Sequence, residues 1–176
     1  MCGIFATLNH NSDSDCVTKT VKSLNNRGPE KSSFRFFEDK YLAFGFNRLA
    51  INGYKEDSSD QPISLKDCTL ICNGEIYNWK ELHGVINTDN TTGSDCEIII
   101  HMYKLYGIEY TLTILDGVYA FILYDHSTQK IFVARDAFGI RPLFYSKQKD
   151  TLIFSSEMKQ IEEYTKDKSH HNIQFY

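Results

Sequence analysis

At the amino terminus stand Met1-Cys2-Gly3-Ile4-Phe5-Ala6-Thr7-Leu8, the stretch that decides the fold. The apolar run from Gly3 to Leu8 predicts a buried strand, which would hold Cys2 at the edge of a sheet. Removal of Met1 would leave a thiol and a free α-amine on Cys2. Because an α-amine has a pKa near ~7.7–8.0, part of it is uncharged at neutral pH and can accept the thiol proton. The terminus therefore indicates a nucleophile with its own base, and the alternative is a small buried hydrophobe.

The composition is typical of a globular protein with one domain. A chain of 176 residues can bury about 70% of its unfolded surface. The net charge is only -4, and the basic residues are scattered, which argues against a nucleic-acid ligand. No window approaches the ~20 apolar residues of a membrane helix, and no signal peptide is visible, so we expect no membrane partner. Five cysteines without a disulfide spacing favour a reducing, cytoplasmic location.

The cysteines and histidines give no metal-binding pattern. Cys68 and Cys72 have no histidine close by, and alternation with period two places both on one strand face, which favours packing over metal ligation. His170 and His171 fall in a polar tail, where a solvated pair is the preferred interpretation. We therefore predict no metal site.

The hydrophobic pattern predicts an antiparallel α+β protein with more strands than helices. Helices are predicted over 15–25, over about 94–106 behind a capping box of Ser94 and Glu97, and over about 156–164. Further strands are predicted over 33–37, 41–47, 68–73, 118–124, 130–135, 143–146 and 151–154. The polar, breaker-rich residues 52–62 predict an exposed loop.

Three polar sites interrupt this strand-like sequence. Arg48 ends an aromatic strand, where its guanidinium could bind a substrate carboxylate or form a surface ion pair. Asn73-Gly74 is first of all a hairpin-turn signal, but an Asn amide beside a Gly N–H also offers the two donors of an oxyanion hole. Asp95 is expected in the first turn of a helix, where the dipole favours an anion, and it could equally pair with a substrate ammonium.

Nine short motifs occur in the order in which one enzyme family carries them. They are Cys2-Gly3-Ile4, Arg27-Gly28-Pro29, Arg48-Leu49, Gln61-Pro62, Asn73-Gly74-Glu75-Ile76-Tyr77-Asn78, Ser94-Asp95-Cys96-Glu97, Leu115-Asp116-Gly117, Arg135-Asp136 with Gly139-Ile140-Arg141-Pro142-Leu143, and Ser156-Glu157-Met158-Lys159. Together they resemble the class II (N-terminal nucleophile) glutamine amidotransferases, and most of all the glutaminase domain of glutamine-hydrolysing asparagine synthetases. The resemblance runs from Met1 to about Tyr164.

This resemblance implies a fold and a mechanism. The fold is that of the N-terminal-nucleophile hydrolases, a four-layer αββα sandwich of two antiparallel sheets, with one glutamine amidotransferase type 2 domain over residues 1–176. The Cys2 thiolate would attack the side-chain amide of glutamine, and an oxyanion would form against the Asn73 amide and the Gly74 N–H. Ammonia would leave, and water would hydrolyse the thioester to glutamate.

The resemblance also implies how glutamine is bound. Arg48 would bind the α-carboxylate, and Asp95 with Glu75 would hold the α-ammonium, so that asparagine is rejected by its length. The remaining residues expected at the glutamine pocket are Leu49, Ile51, Asn52, Asn73 and Gly74.

The sequence departs from the family at three places. Asn26 stands where the family usually has His, and Glu30 stands where Asp is common. Asn52-Gly53 replaces a bulkier pair after the Arg-Leu strand. The first two positions are not assigned to chemistry, whereas the third bears on glutamine affinity.

The ATP-dependent half of an asparagine synthetase is missing from this sequence. Its phosphate loop resembles Ser-Gly-Gly-x-Asp-Ser, and no such loop occurs among the 176 residues. We therefore expect no cofactor in this domain, with ATP and Mg used only by the missing synthetase domain. The expectation is an excised domain, or a gene whose second half is lost or separated.

Three functions remain open on this basis. The first is a glutaminase that supplies ammonia for asparagine synthesis from aspartate by a companion domain or chain. The second is the glutaminase domain of another class II amidotransferase. The third is a catalytically silent module that senses glutamine or binds a partner.

Overall fold

Nine strands, four α-helices and one 3₁₀-helix are present in the residues that the computed structural model describes, namely 1–8, 14–37, 42–49 and 60–166. The strands are β1 Gly3–Leu8, β2 Lys31–Phe37, β3 Leu42–Arg48, β4 Ile63–Leu65, β5 Cys68–Ile76, β6 Gly117–Asp125, β7 Lys130–Arg135, β8 Phe144–Gln148 and β9 Thr151–Ser155. The α-helices are α1 Ser14–Lys22, α2 Trp79–Ile86, α3 Glu97–Ile114 and α4 Met158–Thr165, and the 3₁₀-helix is Ser23–Asn26. The chain divides into two compact units, Met1–Leu49 with Pro142–Tyr176, and Ala50–Arg141.

The first unit is built on a five-stranded antiparallel sheet. Its strand order is β2-β3-β1-β9-β8, so the strand predicted at the amino terminus is the central one and has the predicted bounds. Gly3 lies opposite Asn47 of β3, and Phe5 lies opposite Ser155 of β9. The core of this unit lies between the sheet and the helices α1, α4 and the 3₁₀-helix. It contains Phe5, Val17, Val21, Leu24, Ala43, Ile153, Ile161 and Tyr164.

The second unit is built on a four-stranded antiparallel sheet of order β4-β5-β6-β7, with α2 and α3. Its core contains Ile63, Cys68, Leu70, Cys72, Ile76, Leu82, Cys96, Ile98, Ile99, Ile100, Met102, Tyr119, Phe121 and Leu123. Cys68 and Cys72 are buried in this core, as the period-two pattern predicts. Burial raises the pKa of Cys68 to about 11, so this thiol stays protonated at neutral pH.

The turn interpretation of Asn73-Gly74 is wrong, because both residues lie inside a strand. β5 continues to Ile76, with Asn73 opposite Ala120 and Gly74 opposite Tyr119 of β6. A Cβ on Gly74 would lie 2.5 Å from the Val118 carbonyl oxygen. The glycine is therefore needed because β6 approaches β5 closely at this position.

The predicted capping box of Ser94 and Glu97 is also wrong. α3 begins at Glu97, and its N-cap Cys96 makes no side-chain capping hydrogen bond. Asp95 therefore lies in the turn before the helix, not in its first turn as expected. The Glu97 carboxylate instead accepts hydrogen bonds from Thr91 and Thr92, which precede the helix.

Two elements are missed by the sequence pattern, α2 and β4. β4 has three residues, which is too short for alternation to be visible. α2 has eight residues and follows directly on a recognised motif. α3 is longer than predicted because a second helical segment follows a kink at Gly107, where φ is 81°. The predicted helix end near residue 106 coincides with this break.

Some predicted features lie outside the described residues. These are the start of the strand at 41, most of the loop over 52–62, the pocket residues Ile51 and Asn52, and the histidines His170 and His171. Among the helices that the structure describes, none combines the length and apolar character required to cross a membrane.

Candidate active site

Cys2 immediately precedes the central strand of the first unit and is half-buried. Its Sγ lies 3.4 Å from the backbone nitrogen of Leu49 and 3.4 Å from the Leu49 carbonyl oxygen. The carbonyl accepts from the thiol, whereas the N–H donates to the sulfur and stabilises a thiolate. The backbone of Leu49 can thus bond to Cys2 both as a thiol and as a thiolate. Leu49, which is expected in the glutamine pocket, therefore contacts the expected nucleophile.

Ser156 anchors the strand that begins next to Cys2. Its hydroxyl accepts a hydrogen bond from the Ile4 N–H at 3.0 Å, and its own N–H donates to the Ile4 carbonyl at 3.0 Å. Ser156 is fully buried. These bonds extend the pairing of β1 one step beyond the end of β9, so the residues next to the terminus are ordered rather than frayed.

Arg27 fixes the terminus from a second side. Its Nε donates to the Cys2 carbonyl at 2.9 Å, and its Nη1 lies 3.4 Å from Oε1 of Glu157. Asn26, where the family usually has His, donates to the same Glu157 oxygen at 3.5 Å. Arg27 and Glu157 both belong to recognised motifs, but nothing in the sequence indicates that they contact each other or Cys2.

Arg48 is the last residue of β3 and lies opposite Lys31 of β2. It directly precedes Leu49, so the expected carboxylate-binding side chain and the Cys2 contact are neighbours in the chain. Its carbonyl accepts from the Glu30 N–H at 3.2 Å. A Cβ on Gly28 would collide with the backbone of Asn47 and Arg48, which explains the glycine of the Arg-Gly-Pro motif.

Asn73, in the second unit, is a buried amide with an unused donor. Its side chain is 1% exposed, and its Nδ2 has no hydrogen-bond partner among the described residues. An unpaired buried donor destabilises a fold by roughly 1–3 kcal/mol, which is tolerated where function needs the group. A donor of this kind suits the stabilisation of a developing negative charge.

Gln61 holds the backbone just before Asn73. Its Nε2 donates to the Cys72 carbonyl at 3.0 Å, and its Oε1 accepts from the Cys72 N–H at 2.5 Å. β4 pairs with β5 only as far as Leu70, so the Gln61 amide replaces the partner strand beyond that point. This role is not visible from the sequence, where Gln61 belongs to a predicted loop.

Glu75 follows the Asn73-Gly74 pair and forms an ion pair within the second unit. Its Oε1 lies 2.9 Å from Nη2 of Arg141. The side chain of Glu75 is 29% exposed and that of Arg141 12% exposed. The charge of Glu75, expected to help hold an ammonium group, is therefore shared with a guanidinium.

Asp136 holds the segment that carries Arg141. Its carboxylate accepts from the backbone N–H groups of Phe138, Ile140 and Arg141, and of Tyr119 on β6. Burial would raise the pKa of Asp136, but these hydrogen bonds lower it below its ordinary value. The ionised carboxylate thus fixes the Arg141 backbone, and Arg141 in turn contacts Glu75.

Asp95 lies close to the same stretch of β5. It is 7% exposed, and its Oδ2 accepts from the Ile76 N–H at 2.7 Å. Ile76 follows Glu75 in β5, so Asp95 is bound to the backbone one residue from Glu75. No group of three or more His, Cys, Asp or Glu side chains arranged to hold a metal ion is found in the described part of the chain.

Comparison with protein families places this chain within one of them. Residues 1–175 match the family described as "Glutamine amidotransferase domain". Curated relatives include an asparagine synthetase [glutamine-hydrolyzing] of Zea mays, 41% identical over 169 residues, and asparagine synthetase [glutamine-hydrolyzing] 2 of Bacillus subtilis, 34% identical over 170 residues. Each alignment covers 92% of this chain, but only 28% and 22% of those relatives.

Solved structures show the same fold. Glutamine phosphoribosylpyrophosphate amidotransferase from Bacillus subtilis, in complex with ADP and GMP, matches 93% of this chain and 44% of its own with a TM-score of 0.78. The allosteric regulatory enzyme of purine biosynthesis matches 93% of this chain and 43% of its own with a TM-score of 0.80. Both are 24% identical to this chain, and the likeness concerns the fold alone. It confirms the predicted N-terminal-nucleophile fold of the α+β class.

Proposed function

Because the chain belongs to the glutamine amidotransferase domain family, we propose that it hydrolyses glutamine to glutamate and ammonia with Cys2 as the nucleophile. The observation that carries this proposal is the setting of Cys2. Its sulfur accepts the Leu49 N–H at 3.4 Å, and the strand that follows is anchored by Ser156. A thiol held in this way is positioned for attack before substrate arrives.

The proposed reaction starts once Met1 has been removed. The α-amine of Cys2 accepts the thiol proton, the sulfur bonds to the amide carbon of glutamine, and the carbonyl electron pair moves to oxygen. The Asn73 Nδ2 and the Gly74 N–H donate to this oxyanion. When the oxyanion collapses, the carbon–nitrogen bond breaks and the α-ammonium returns its proton to the leaving ammonia. Water then attacks the thioester and releases glutamate and the Cys2 thiol.

Glutamine is proposed to be bound by its α-carboxylate and α-ammonium groups. Arg48 offers a planar guanidinium to the carboxylate. Asp95 and Glu75 attract the ammonium, and the bond of Asp95 to the Ile76 N–H holds Asp95 near the end of β5 that carries Glu75. Leu49, Ile51 and Asn52 complete the proposed pocket.

The ammonia is proposed to serve asparagine synthesis from aspartate by a companion domain or chain. This part rests on the relatives, which are named asparagine synthetases, while the chain spans less than a third of their length. ATP and Mg would be used by that companion, not by this domain. We further propose that the protein acts in the cytoplasm, because its five cysteines form no disulfide bonds.

The experiment compares two chains that differ only at the terminus. One begins at Cys2, as verified by intact mass, and the other keeps one extra residue ahead of it. The first should release glutamate and ammonia from glutamine but no aspartate from asparagine, and the second should be inactive because its Cys2 nitrogen is an amide. Cys16→Ala is the matched control, because Cys16 is also a half-buried cysteine of the first unit, and this variant should stay active.

Two outcomes would contradict this proposal. Equal turnover by both chains would remove the α-amine from the mechanism. Glutamine binding without turnover by the chain that begins at Cys2 would favour a glutamine-sensing module instead.

A further inference from the structure

Glu97 is a fully buried carboxylate with more hydrogen bonds than a helix terminus needs. Its Oε1 accepts from the Thr91 N–H at 3.0 Å and from the Thr91 hydroxyl at 3.1 Å. Its Oε2 accepts from the Thr91 N–H at 3.1 Å and from the Thr92 N–H at 2.6 Å. His101, one turn along α3, contacts Oε1 through its Nε2 at 3.0 Å.

The charge of Glu97 is maintained by these contacts. Burial alone would raise its pKa, but the hydrogen bonds from Thr91, Thr92 and His101 lower the pKa of Glu97 to about 2. The carboxylate is therefore ionised at any pH at which the protein works. It is an anion that organises the segment Thr91–Ser94.

This segment leads directly into Asp95. Asn90 closes the segment on itself, because its Nδ2 donates to the Ser94 carbonyl at 2.9 Å and its Oδ1 accepts from the Gly93 N–H at 2.8 Å. Asp95 then bonds to the Ile76 N–H of β5 at 2.7 Å. Because Asp95 is only three residues after Thr92, a shift of Thr91 or Thr92 would be passed on to Asp95.

His101, which contacts Glu97, packs in turn against a second buried histidine, His83. The rings of His83 and His101 are 5.2 Å apart, and both side chains are buried. Since His101 Nε2 faces a carboxylate, that nitrogen carries a proton and donates. His83 Nδ1 lies 3.0 Å from the Thr88 hydroxyl. Burial and the neighbouring His101 lower the pKa of His83, so its ring is kept neutral.

We propose that Glu97, backed by His101, is a positioning residue for glutamine recognition. Its carboxylate holds Thr91–Ser94 in the conformation that directs Asp95 towards the α-ammonium of the substrate. This inference rests on the proposed function, because it takes Asp95 as the partner of that ammonium. It assigns Glu97 to substrate selection, although Glu97 itself does not contact the substrate.

Asp125 provides a matched control within the same unit. It is also buried and also contacts α3, accepting from the Tyr103 hydroxyl at 2.7 Å and from Lys104 Nζ at 3.0 Å. It also accepts backbone N–H groups, those of Ser127 and Thr128. None of these partners lies in the segment that precedes Asp95, so loss of Asp125 tests the effect of a damaged core without a damaged substrate site.

The experiment measures binding of two ligands by calorimetry in a Cys2→Ala chain that begins at residue 2. The ligands are glutamine and glutaramate, which is glutamine without its α-amine. Glu97→Gln keeps the shape of the side chain but replaces one acceptor oxygen by an amide donor. We expect Glu97→Gln to weaken glutamine binding on the order of tenfold and to change glutaramate binding less than about twofold. Asp125→Asn should change neither by more than about twofold.

The ratio of the glutamine affinity to the glutaramate affinity tests the positioning role of Glu97. A Glu97→Gln protein that loses both ligands equally, or neither, would overturn the positioning role. If Glu97→Gln does not fold, His101→Gln and His101→Ala replace it. His101→Ala should lower glutamine affinity selectively by about threefold, and His101→Gln, whose amide can still donate to Glu97, should restore part of it. Unchanged affinity in His101→Ala would overturn the role.

The same binding experiment distinguishes failure of the proposed glutaminase function from failure of the Glu97 role. If the Cys2→Ala parent binds no glutamine, the proposed function fails, and the role of Glu97 fails with it. If the parent binds glutamine and the ratio does not move, only the role of Glu97 is lost.

Discussion

The terminus around Cys2 and the segment from Asn73 to Asp95 are held in place by different physics. Cys2 is fixed by backbone hydrogen bonds and by one partly exposed ion pair of Arg27 with Glu157. The second region is fixed by the buried carboxyl groups of Asp95, Glu97 and Asp136, each of which accepts at least one backbone N–H. The first arrangement depends on a free chain end, and the second depends on charge.

Because of this difference, substitutions in the two regions should affect different properties, namely the catalytic rate in the first and the stability in the second. Changes at the terminus should alter the rate while leaving the fold intact, because few buried contacts are lost there. Changes at the carboxylates should alter stability and its dependence on pH, because a buried acceptor serves several donors at once. Asn73 is the exception in the second region, because its donor is unpaired.

The largest effect is expected for Asn73→Ala. Loss of an oxyanion donor should lower kcat by about 10²–10³-fold, equivalent to about 3–4 kcal/mol. Stability should fall little, since the removed donor has no partner to lose. Steady-state kinetics and thermal unfolding check both expectations.

Asn78→Ala is the control for that change, because Asn78 uses both ends of its amide. Its Nδ2 donates to the Ile114 carbonyl and its Oδ1 accepts from the Asp116 N–H. It should lose stability and keep kcat within about threefold. A kcat that falls equally in both variants would show that Asn73 acts through the fold.

The next effect is the acid stability of Glu97→Gln. The pKa of Glu97 is about 2 in the folded protein against an ordinary 4.5. The difference is equivalent to about 3 kcal/mol, which is present above pH 4.5 and is lost as the pH falls towards 2. Urea unfolding from pH 7 to pH 2 should therefore show a shallower loss of stability in Glu97→Gln than in the parent.

Asp125 and Asp136 also have lowered pKa values, but they are present in both proteins and cancel in the difference. Parallel stability curves for Glu97→Gln and its parent would contradict the assignment of charge to Glu97. Such a result would also remove the basis of the contrast between the two regions.

A smaller effect is expected for Arg48→Lys. A lysine cannot form the two parallel hydrogen bonds that a guanidinium makes with a carboxylate, so KM for glutamine should rise about 10–100-fold with a smaller change in kcat. Arg35→Lys on the neighbouring strand β2 is the control and should leave KM unchanged. An unchanged KM in Arg48→Lys would favour the surface ion-pair interpretation.

The smallest effect is expected for Arg27→Lys. Lysine keeps a positive charge near Glu157 but loses the Nε donor to the Cys2 carbonyl. We expect kcat to fall about tenfold, since one charged hydrogen bond is lost at the nucleophile. In Glu157→Gln the fall in kcat should be smaller, because the hydrogen bond from Arg27 to the Cys2 carbonyl remains. The opposite order would show that the ion pair, rather than the bond to Cys2, positions the terminus.

The sequence predicts those parts of the molecule that depend on local pattern. Gly3–Leu8 is a strand because its apolar run is short and continuous, and Val17 and Val21 are buried because they recur at helical spacing. The choice of Cys2, Asn73 and Asp95 as candidates followed from the chemistry of single residues in their local pattern, and the ordered motifs then supported it.

Contacts between distant residues were beyond the sequence. Arg27 reaches Cys2 across 25 positions and Arg141 reaches Glu75 across 66, and no periodicity records such pairs. Glu97 shows a different failure, because the spacing of a capping box was present while its carboxylate found better donors in Thr91 and Thr92. The turn expected at Asn73-Gly74 failed because close strand packing also requires glycine.

The central claim is that Cys2 becomes acylated during turnover. The direct measurement is peptide mass mapping of the chain that begins at Cys2, acid-quenched during steady-state hydrolysis of glutamine. We expect a glutamyl adduct at Cys2 and none at Cys16, with the peptides cut before Asp15 so that the two cysteines are separated. Glutamate release without an adduct at Cys2, or an adduct on another cysteine, would contradict it.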